Sequence, residues 1–224
     1  MGNLFRLLLH TLVLRPLVRG LLGVNQYHDE QFPVDGPAVI VANHNSHLDT
    51  VLIMAMFQSS MIGKIRPVGA MDYFSVDRFF PRLLSWLFQI IFIHRGKRKI
   101  SDGDPLQECS QALCRNEILI IFPEGTRGDP GVMEPFKPGI SHLAKRFPDV
   151  PVIPVFIDGL EMVLPRGAYI PVPFVCNVSV GRQLRWQGSK LHFMNQLQSE
   201  IERLKNSLPR RPVTQSTIVQ TTTY

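Results

Sequence analysis

From residue 30 onward, the pattern of hydrophobic and polar positions defines two kinds of segment, which follow one another in alternation. Short continuous apolar runs are typical of strands buried on both faces, and longer stretches with apolar residues every three or four positions are typical of helices. The runs that predict strands are 37–42, 65–69, 90–93, 117–122, 152–156 and 174–180, and the stretches that predict helices are 47–57, 72–88, 138–146 and 190–207. This alternation predicts a single-domain α/β fold, a sheet covered by helices.

A further helix start is marked by Asp104. Pro105 follows it at the position where proline suits the first turn of a helix, and Gln107 stands three residues after Asp104. A short polar side chain followed by glutamine at this spacing is a capping-box arrangement. The sequence therefore predicts that Asp104 caps a helix that begins at Pro105.

The N-terminal segment, residues 1–28, differs from the rest of the chain because leucines crowd around a few basic residues. The apolar run is shorter than the roughly 20 residues that cross a bilayer, and no small-residue cleavage site follows it. With Pro16 between its halves, the segment predicts two short amphipathic helices that lie in the interface of an anionic membrane. The alternative is that they pack on the domain's own core. Residues 29–208 are the expected α/β domain, and 209–224, rich in Thr and Gln, the expected disordered tail.

Composition and charge restrict the partner and the compartment. The 224 residues are 45% hydrophobic, enough for one buried core, and 24 Lys and Arg against 18 Asp and Glu leave a net charge of +6. An anionic partner is expected, either lipid or nucleic acid. Three cysteines are too few for a disulfide framework, which indicates a reducing compartment, and Cys109 and Cys114 are expected to be buried.

A histidine and an aspartate follow the predicted strand 37–42. On a continuous helix, residues five apart are separated by about 140°, so His44 can meet Asp49 only if His44 lies in the turn and Asp49 in the first turn of the next helix. An imidazole held in one tautomer by a carboxylate is a general base. In this hypothesis, backbone N–H groups in the turn after His44 stabilise an oxyanion. The alternative is that Ser46 caps the helix, with Asp49 as the acid three residues later.

A second polar loop follows the predicted strand 117–122 and consists of Glu124, Gly125, Thr126 and Arg127. Gly125 permits a positive φ, and Arg127 offers a bidentate contact to phosphate. Arg95 emerges from the strand 90–93 as another phosphate ligand. Ligands bind at the carboxyl ends of strands in α/β sheets, so a base facing an anion-binding loop suggests group transfer onto a phosphorylated alcohol. Taken alone, the loop could equally be an ordinary polar turn.

Several motifs that are typical of other reaction classes are absent from the sequence or incomplete. His47 and Asp49 match the centre of a metallo-hydrolase motif, His-x-His-x-Asp-His, but Asn45 and Thr50 replace its flanking histidines, so no metal is expected. The sequence has no Gly-x-Ser-x-Gly elbow, Walker loop or dinucleotide fingerprint. A base without its own nucleophile needs an activated electrophile, and a thioester meets that need.

Four ordered blocks of this sequence resemble those of the glycerophospholipid acyltransferases of the PlsC type. They are His44-x4-Asp49, 92–95, 122–127 and 150–155, within a resemblance that spans residues 37–160. The resemblance implies transfer of a fatty acyl chain from acyl-CoA or acyl carrier protein to the hydroxyl of a lysophospholipid, foremost 1-acylglycerol-3-phosphate. No cofactor is implied. His44 is then the base, with Asp49 as its partner.

The same resemblance implies that Arg95, Glu124, Gly125 and Arg127 hold the glycerol phosphate, and Thr126 is grouped with them as substrate-binding. The expected partners are the lysophospholipid, the acyl donor and an anionic membrane surface, with no nucleic acid. The expected location is the cytoplasmic face of a bacterial-type inner membrane. Alternatives are an acyltransferase for another lysolipid, such as an ornithine-type lipid, a noncatalytic lipid-binding protein, and a metallo-hydrolase.

Overall fold

The computed structural model describes residues 2–46, 48–70, 85–93, 103–126, 133–163 and 174–209. Within these ranges the strands are β1 (Leu22–Tyr27), β2 (Ala38–Ala42), β3 (Ile65–Ala70), β4 (Ile91–Ile93), β5 (Ile118–Ile121), β6 (Val152–Asp158) and β7 (Phe174–Val180). The α-helices are α1 (Gly2–Leu9), α2 (Arg15–Leu21), α3 (Asp49–Met56), α4 (Gln107–Cys114), α5 (Gly139–Arg146), α6 (Leu160–Val163) and α7 (Lys190–Ser207).

The described strands form one sheet in the order β1-β7-β6-β2-β5-β3-β4. Strands β6, β2, β5, β3 and β4 run parallel to one another, whereas β7 pairs antiparallel with β6 and parallel with β1. All five residues of β2 are buried, as expected for a strand covered by helices on both faces. The predicted α/β sheet is therefore confirmed.

Alternate residues of the central strands point to two separate apolar cores. Ile40 of β2 faces the core that α3 and the N-terminal segment cover, where Ile53 and Leu14 are buried. Val39 of the same strand faces the core beneath α4, α5 and α7, where Phe193 is buried. The sheet is thus enclosed on both sides, and its free functional surface lies at the strand ends.

Most predicted elements are found within a few residues of their expected bounds. Strand β7 and helix α7 coincide with their predicted ranges, while β6 runs two residues further than expected. The start predicted for α4 is wrong: the helix begins at Gln107 after Leu106. Asp104 Oδ1 instead accepts the N–H of Leu106 at 2.9 Å, in a turn before the helix. Much of the predicted helix 72–88 lies outside the described residues, and 85–88 are helical.

Strand β1 is an element that the apolar pattern does not predict. It pairs with β7 along its whole length, from Leu22 beside Phe174 to Tyr27 beside Ser179. Its first residues continue the leucine-rich run of the N-terminal segment, so no polar boundary separates the strand from the helix before it. The sheet consequently begins before residue 29, the predicted start of the α/β domain.

The cysteines differ in accessibility. Cys109 and Cys176 are buried, and burial raises the pKa of Cys109 to about 12. Cys114 was expected to be buried and is exposed. The two positions on α4 are five residues apart and therefore face different sides of the helix, so only one of them can face the core.

The N-terminal segment does not break at Pro16. A π-helix, His10–Leu14, connects α1 to α2, and the N–H of Arg15 bonds to the carbonyl of His10, five residues earlier. The wider π-turn lets the helical path continue past Pro16, whose missing N–H interrupts an ordinary α-helix. Among the described residues, no helix is both long and apolar enough to cross a membrane.

His10 anchors the N-terminal segment to the domain. The side chain is buried, with Nε2 2.9 Å from the carbonyl oxygen of Met54 and Nδ1 3.1 Å from Ser59 Oγ. A carbonyl oxygen only accepts, so Nε2 carries the hydrogen and Nδ1 accepts from the hydroxyl. Burial lowers the pKa of His10, and the positive charge of Arg15 acts in the same direction.

His10 should make folding stability depend on pH. Because its pKa in the folded protein lies below the ordinary value of about 6.5, protonation favours the unfolded chain. We expect the stability contributed by neutral His10 to be complete above about pH 6.5 and to be lost as the pH falls through the folded-state pKa. Chemical unfolding of wild type and His10→Gln across this pH range measures the free energy of unfolding. As the pH falls, this free energy should decrease less in the variant than in the wild type. Equal losses would contradict this role, and His28→Gln, at an exposed histidine, is the control.

Candidate active site

The loops after β2 and β5 lie side by side because these strands are parallel neighbours. Asn43 fixes the first of these loops to β6, on the other side of β2. Its side-chain amide donates to the carbonyl of Ile157 and accepts the N–H of the same residue, each at 2.8 Å. This double contact holds the chain at the point where it leaves β2, just before His44.

His44 and Asp49 are in direct contact. His44 lies in the turn after β2 and Asp49 is the first residue of α3, and Nδ1 of the imidazole is 2.9 Å from Asp49 Oδ2. The same oxygen accepts the N–H groups of Asn45 at 2.8 Å and Ser46 at 2.9 Å. Asp49 is fully buried, whereas 22% of the His44 side chain is exposed. An ionised carboxylate only accepts, so Nδ1 carries the hydrogen and Nε2 keeps its lone pair.

The turn contradicts two of the sequence-based hypotheses. The N–H groups of Asn45 and Ser46 are both bonded to Asp49, so they are not available to stabilise an oxyanion, and that hypothesis is wrong for these groups. Leu48 is the N-cap of α3, rather than Ser46. The hydroxyl of Ser46 accepts the N–H of Leu48 at 3.3 Å. Asp49 therefore serves the imidazole and the turn rather than a simple helix cap.

Phe122 supports the imidazole from the second loop. Its ring is stacked on His44, with centroids 4.3 Å apart and the planes 22° from parallel. The stacking limits rotation of the imidazole, as the bond to Asp49 does. The sequence pattern does not predict these roles of Phe122 and Asn43, although each is the first residue after a strand that precedes a motif.

Glu124 is buried beside the backbone of His44. The residue is 1% exposed. Its Oε1 accepts the N–H of His44 at 2.9 Å, and its Oε2 accepts the N–H of Glu134 at 3.0 Å. Burial raises the pKa of Glu124, which the two backbone donors partly offset. The carboxylate thus contacts the backbone of two loops with both of its oxygens.

Gly125 has the positive φ expected from the sequence, 78°. Its N–H donates to the carbonyl of Phe122 at 3.1 Å, which closes the turn. A Cβ atom at this position would come within 3.4 Å of Lys137 Cγ. That separation is an ordinary van der Waals contact, so glycine is favoured here by the positive φ of the turn rather than by lack of space. Thr126, the next residue, is exposed.

Several predicted positions cannot be placed in this geometry. Arg95 and Arg127 lie outside the described residues, as does His47, so the phosphate-binding role of the two arginines stays a prediction. Among the residues that the structure describes, no group of three or more His, Cys, Asp or Glu side chains is arranged to hold a metal ion.

A family profile described as Acyltransferase matches residues 23–158, more than half of the chain. The match contains His44, Asp49 and the loop from Phe122 to Thr126, and with them the contacts described above. The chain belongs to the Acyltransferase family.

The relatives and a solved structure agree with this membership. Human 1-acyl-sn-glycerol-3-phosphate acyltransferase alpha is 33% identical over 131 residues, which are 58% of this chain and 44% of that protein. The chloroplastic 1-acyl-sn-glycerol-3-phosphate acyltransferase BAT2 of Brassica napus is 29% identical over 136 residues, 60% of this chain and 36% of that protein. The chain thus spans less than half the length of either relative.

The crystal structure of the 1-acyl-sn-glycerophosphate (LPA) acyltransferase PlsC from Thermotoga maritima has a TM-score of 0.68 to this chain at 21% identity. The similarity covers 93% of this chain and 88% of that one. The two proteins therefore share a fold.

The tautomer of His44 is directly measurable. We expect ¹⁵N spectra of imidazole-labelled protein, at a pH where His44 is neutral, to show a protonated Nδ1 and an unprotonated Nε2. Asp49→Asn should populate the other tautomer, because an amide can donate to Nδ1 as well as accept from it. Asp35→Asn, which changes an exposed carboxylate paired with Lys64, is the control. A proton on Nε2 in the wild type would exclude His44 as a base.

Proposed function

We propose that this protein transfers a fatty acyl group from an acyl thioester to the free hydroxyl of 1-acylglycerol-3-phosphate, giving phosphatidate. The observation that carries the proposal is the 2.9 Å contact between His44 Nδ1 and Asp49, which leaves Nε2 as a base at the carboxyl edge of the sheet. Both relatives compared above are named for this reaction. Membership of the Acyltransferase family supports the same chemistry.

The site suits direct transfer rather than a covalent acyl-enzyme. Within the described part of the chain, no serine, threonine or cysteine side chain is hydrogen-bonded to the His44 imidazole. Nε2 of His44 removes the proton of the acceptor hydroxyl while that oxygen attacks the thioester carbonyl carbon. The tetrahedral intermediate then collapses, the C–S bond breaks, and the departing thiolate takes the proton from the imidazolium. Asp49 stabilises the transient positive charge on the ring.

The acceptor phosphate needs cations close to the second loop. Arg95 and Arg127 are the proposed ligands, because guanidinium groups form charge-assisted bidentate contacts with phosphate. Lys137, whose side chain passes Gly125, contributes a third positive charge near this loop. The proposed donor is an acyl thioester, either acyl-CoA or acyl carrier protein.

The acceptor and the base are tested together. Purified protein is given a panel of lysolipids with acyl-CoA or acyl carrier protein donors, and products are identified by mass. We expect lysophosphatidate to be the preferred acceptor. His44→Ala should lower kcat by about 10²-fold or more, the usual contribution of a general base. His142→Ala, at an exposed position on α5, is the matched control.

Two outcomes of this assay would overturn separate parts of the proposal. If the wild type esterifies a different lysolipid and not lysophosphatidate, the proposed acceptor is wrong, but the proposed reaction type still holds. A folded His44→Ala protein with nearly full turnover would remove His44 from the role of base.

We also propose that the N-terminal segment lies in a membrane interface. One side of it is buried against the domain through His10, Leu14 and Val18. The other side exposes large apolar side chains: Leu4, Phe5, Leu8, Leu12, Val13 and Leu17. An apolar face that the protein leaves uncovered is typical of interfacial helices. The net charge of +6 favours anionic lipid. The cytoplasmic face stays a prediction.

Trp86 extends this apolar surface beyond the N-terminal segment. It is half exposed and lies against Phe5, with ring centroids 6.0 Å apart. The guanidinium of Arg6 sits 5.1 Å above the Trp86 ring and donates to the Trp86 carbonyl at 2.8 Å. Tryptophan beside arginine is suited to the headgroup level of a bilayer, where one part of each side chain is apolar and the other is solvated.

Membrane binding is tested by replacing one exposed leucine with glutamate. Leu12→Glu should reduce binding to anionic vesicles about tenfold or more, because it removes about 1.5–3 kcal/mol of apolar burial and adds a repelled charge. Leu191→Glu is the matched control, since Leu191 on α7 is 71% exposed and Leu12 is 67% exposed. Co-sedimentation with vesicles measures both. Equal binding of the two variants would place the membrane contact elsewhere.

A further inference from the structure

We infer that Glu124 is a positioning residue that holds His44 in place, rather than a ligand of the acceptor phosphate. The inference rests on the proposed function and assigns a role within it. Resemblance to the family groups Glu124 with the phosphate-binding residues of its loop. The contacts of its carboxylate point to the backbone instead.

Three segments of the chain meet at Glu124. The residue itself follows β5, Oε1 takes the N–H of His44 from the loop after β2, and Oε2 takes the N–H of Glu134. Next to it, the carbonyl of Pro123 accepts the N–H of Lys137 at 2.7 Å. One carboxylate therefore ties the base-bearing loop and the segment 133–137 to the end of the same strand.

The burial of Glu124 explains why these bonds matter. Among the described residues, no lysine or arginine forms an ion pair with it, so its charge is stabilised by the two backbone donors. Hydrogen bonds to a charged acceptor are about twice as strong as those between neutral groups. Without Glu124, the half-buried N–H of His44 would have no hydrogen-bond partner among the described residues.

His44 is consequently restrained at two points. Glu124 holds the backbone N–H, while Asp49 and Phe122 hold the ring. A displacement of about 1 Å in a catalytic group costs roughly 100-fold in rate. A buried carboxylate would also repel a phosphate dianion, which argues against direct contact with the acceptor.

The variant Glu124→Gln distinguishes positioning of His44 from binding of the acceptor phosphate. A glutamine amide has one acceptor oxygen, and its NH₂ presents hydrogens to the second backbone N–H, so one of the two contacts is lost. We expect kcat to fall about 100-fold while KM for the acceptor stays unchanged. A raised KM with an unchanged kcat would overturn the inference in favour of acceptor binding.

Glu117→Gln is the control for loss of a buried carboxylate. Glu117 precedes β5 at the opposite edge of the sheet, is 7% exposed, and pairs with Arg66 at 2.6 Å and Arg115 at 3.0 Å. Its replacement should lower the unfolding midpoint and leave kcat intact. A comparable loss of kcat in Glu117→Gln would show that instability alone lowers the rate, and would overturn the assignment to Glu124.

A binding measurement removes turnover from the test. Isothermal titration of a short-chain lysophosphatidate is performed on His44→Ala and on the double variant His44→Ala/Glu124→Gln. Equal dissociation constants support positioning, because Glu124 then acts only through His44. Weaker binding in the double variant would assign Glu124 to the acceptor and overturn the inference.

A second variant covers the case in which Glu124→Gln does not fold. Glu134→Pro removes the N–H that Oε2 accepts and leaves the carboxylate itself unchanged. We expect a lower kcat at unchanged KM for the acceptor, and an unaltered kcat would overturn the inference.

All kinetic measurements use whichever lysolipid the wild type esterifies. A failure of lysophosphatidate as acceptor therefore counts against the proposed function, and the split between kcat and KM still tests Glu124.

Discussion

The parallel pairing of β2 with β5 is the constraint on which the site depends. The register from Ala38 beside Ile118 to Val41 beside Ile121 makes the two strands end at the same level. His44 and Phe122 can then stack, and Glu124 can reach the backbone of His44. Because side chains alternate between the faces of a strand, a slip of one residue would turn these contacts to opposite sides of the sheet.

Buried carboxylates at the two edges of the sheet are stabilised in different ways. At the amino edge, Glu117 is paired with two arginines. At the carboxyl edge, Asp49 accepts three N–H groups, including that of the imidazole, and Glu124 accepts two. Among the described residues, N–H groups are the only hydrogen-bond donors to these two carboxylates, so a proton on His44 would add a compensating positive charge. The arrangement favours the imidazolium as it forms, which is what a general base requires.

The sequence predicts the features that depend on residue spacing and hydrophobic periodicity. It does not predict which polar groups are buried or which backbone groups they contact. The five-residue spacing of His44 and Asp49 along the sequence implied a turn followed by the start of a helix, and the structure has both. Strand β1 was missed because its apolar residues continue a helix. The direction of the Glu124 carboxylate also was not predictable, since a polar residue in a loop motif is expected to face solvent. Hydrogen bonds of the backbone are not visible in a sequence, which is why the oxyanion hypothesis was wrong for the N–H groups of Asn45 and Ser46.

Helix α3 connects the proposed interfacial segment to His44, the proposed base. His10 of the segment bonds to the carbonyl of Met54 near the last turn of α3, and Asp49 is the first residue of that helix. Five residues of α-helix span roughly 8 Å along the axis. One short rigid element therefore joins the carboxylate that contacts His44 to the segment that carries the apolar surface. Under the proposed function, insertion of that surface into the headgroup layer would bring the base close to the hydroxyl of a lysolipid whose acyl chain stays in the bilayer. Extraction of the whole lipid, with its cost of about 0.8 kcal/mol for each exposed CH₂ group, is then unnecessary.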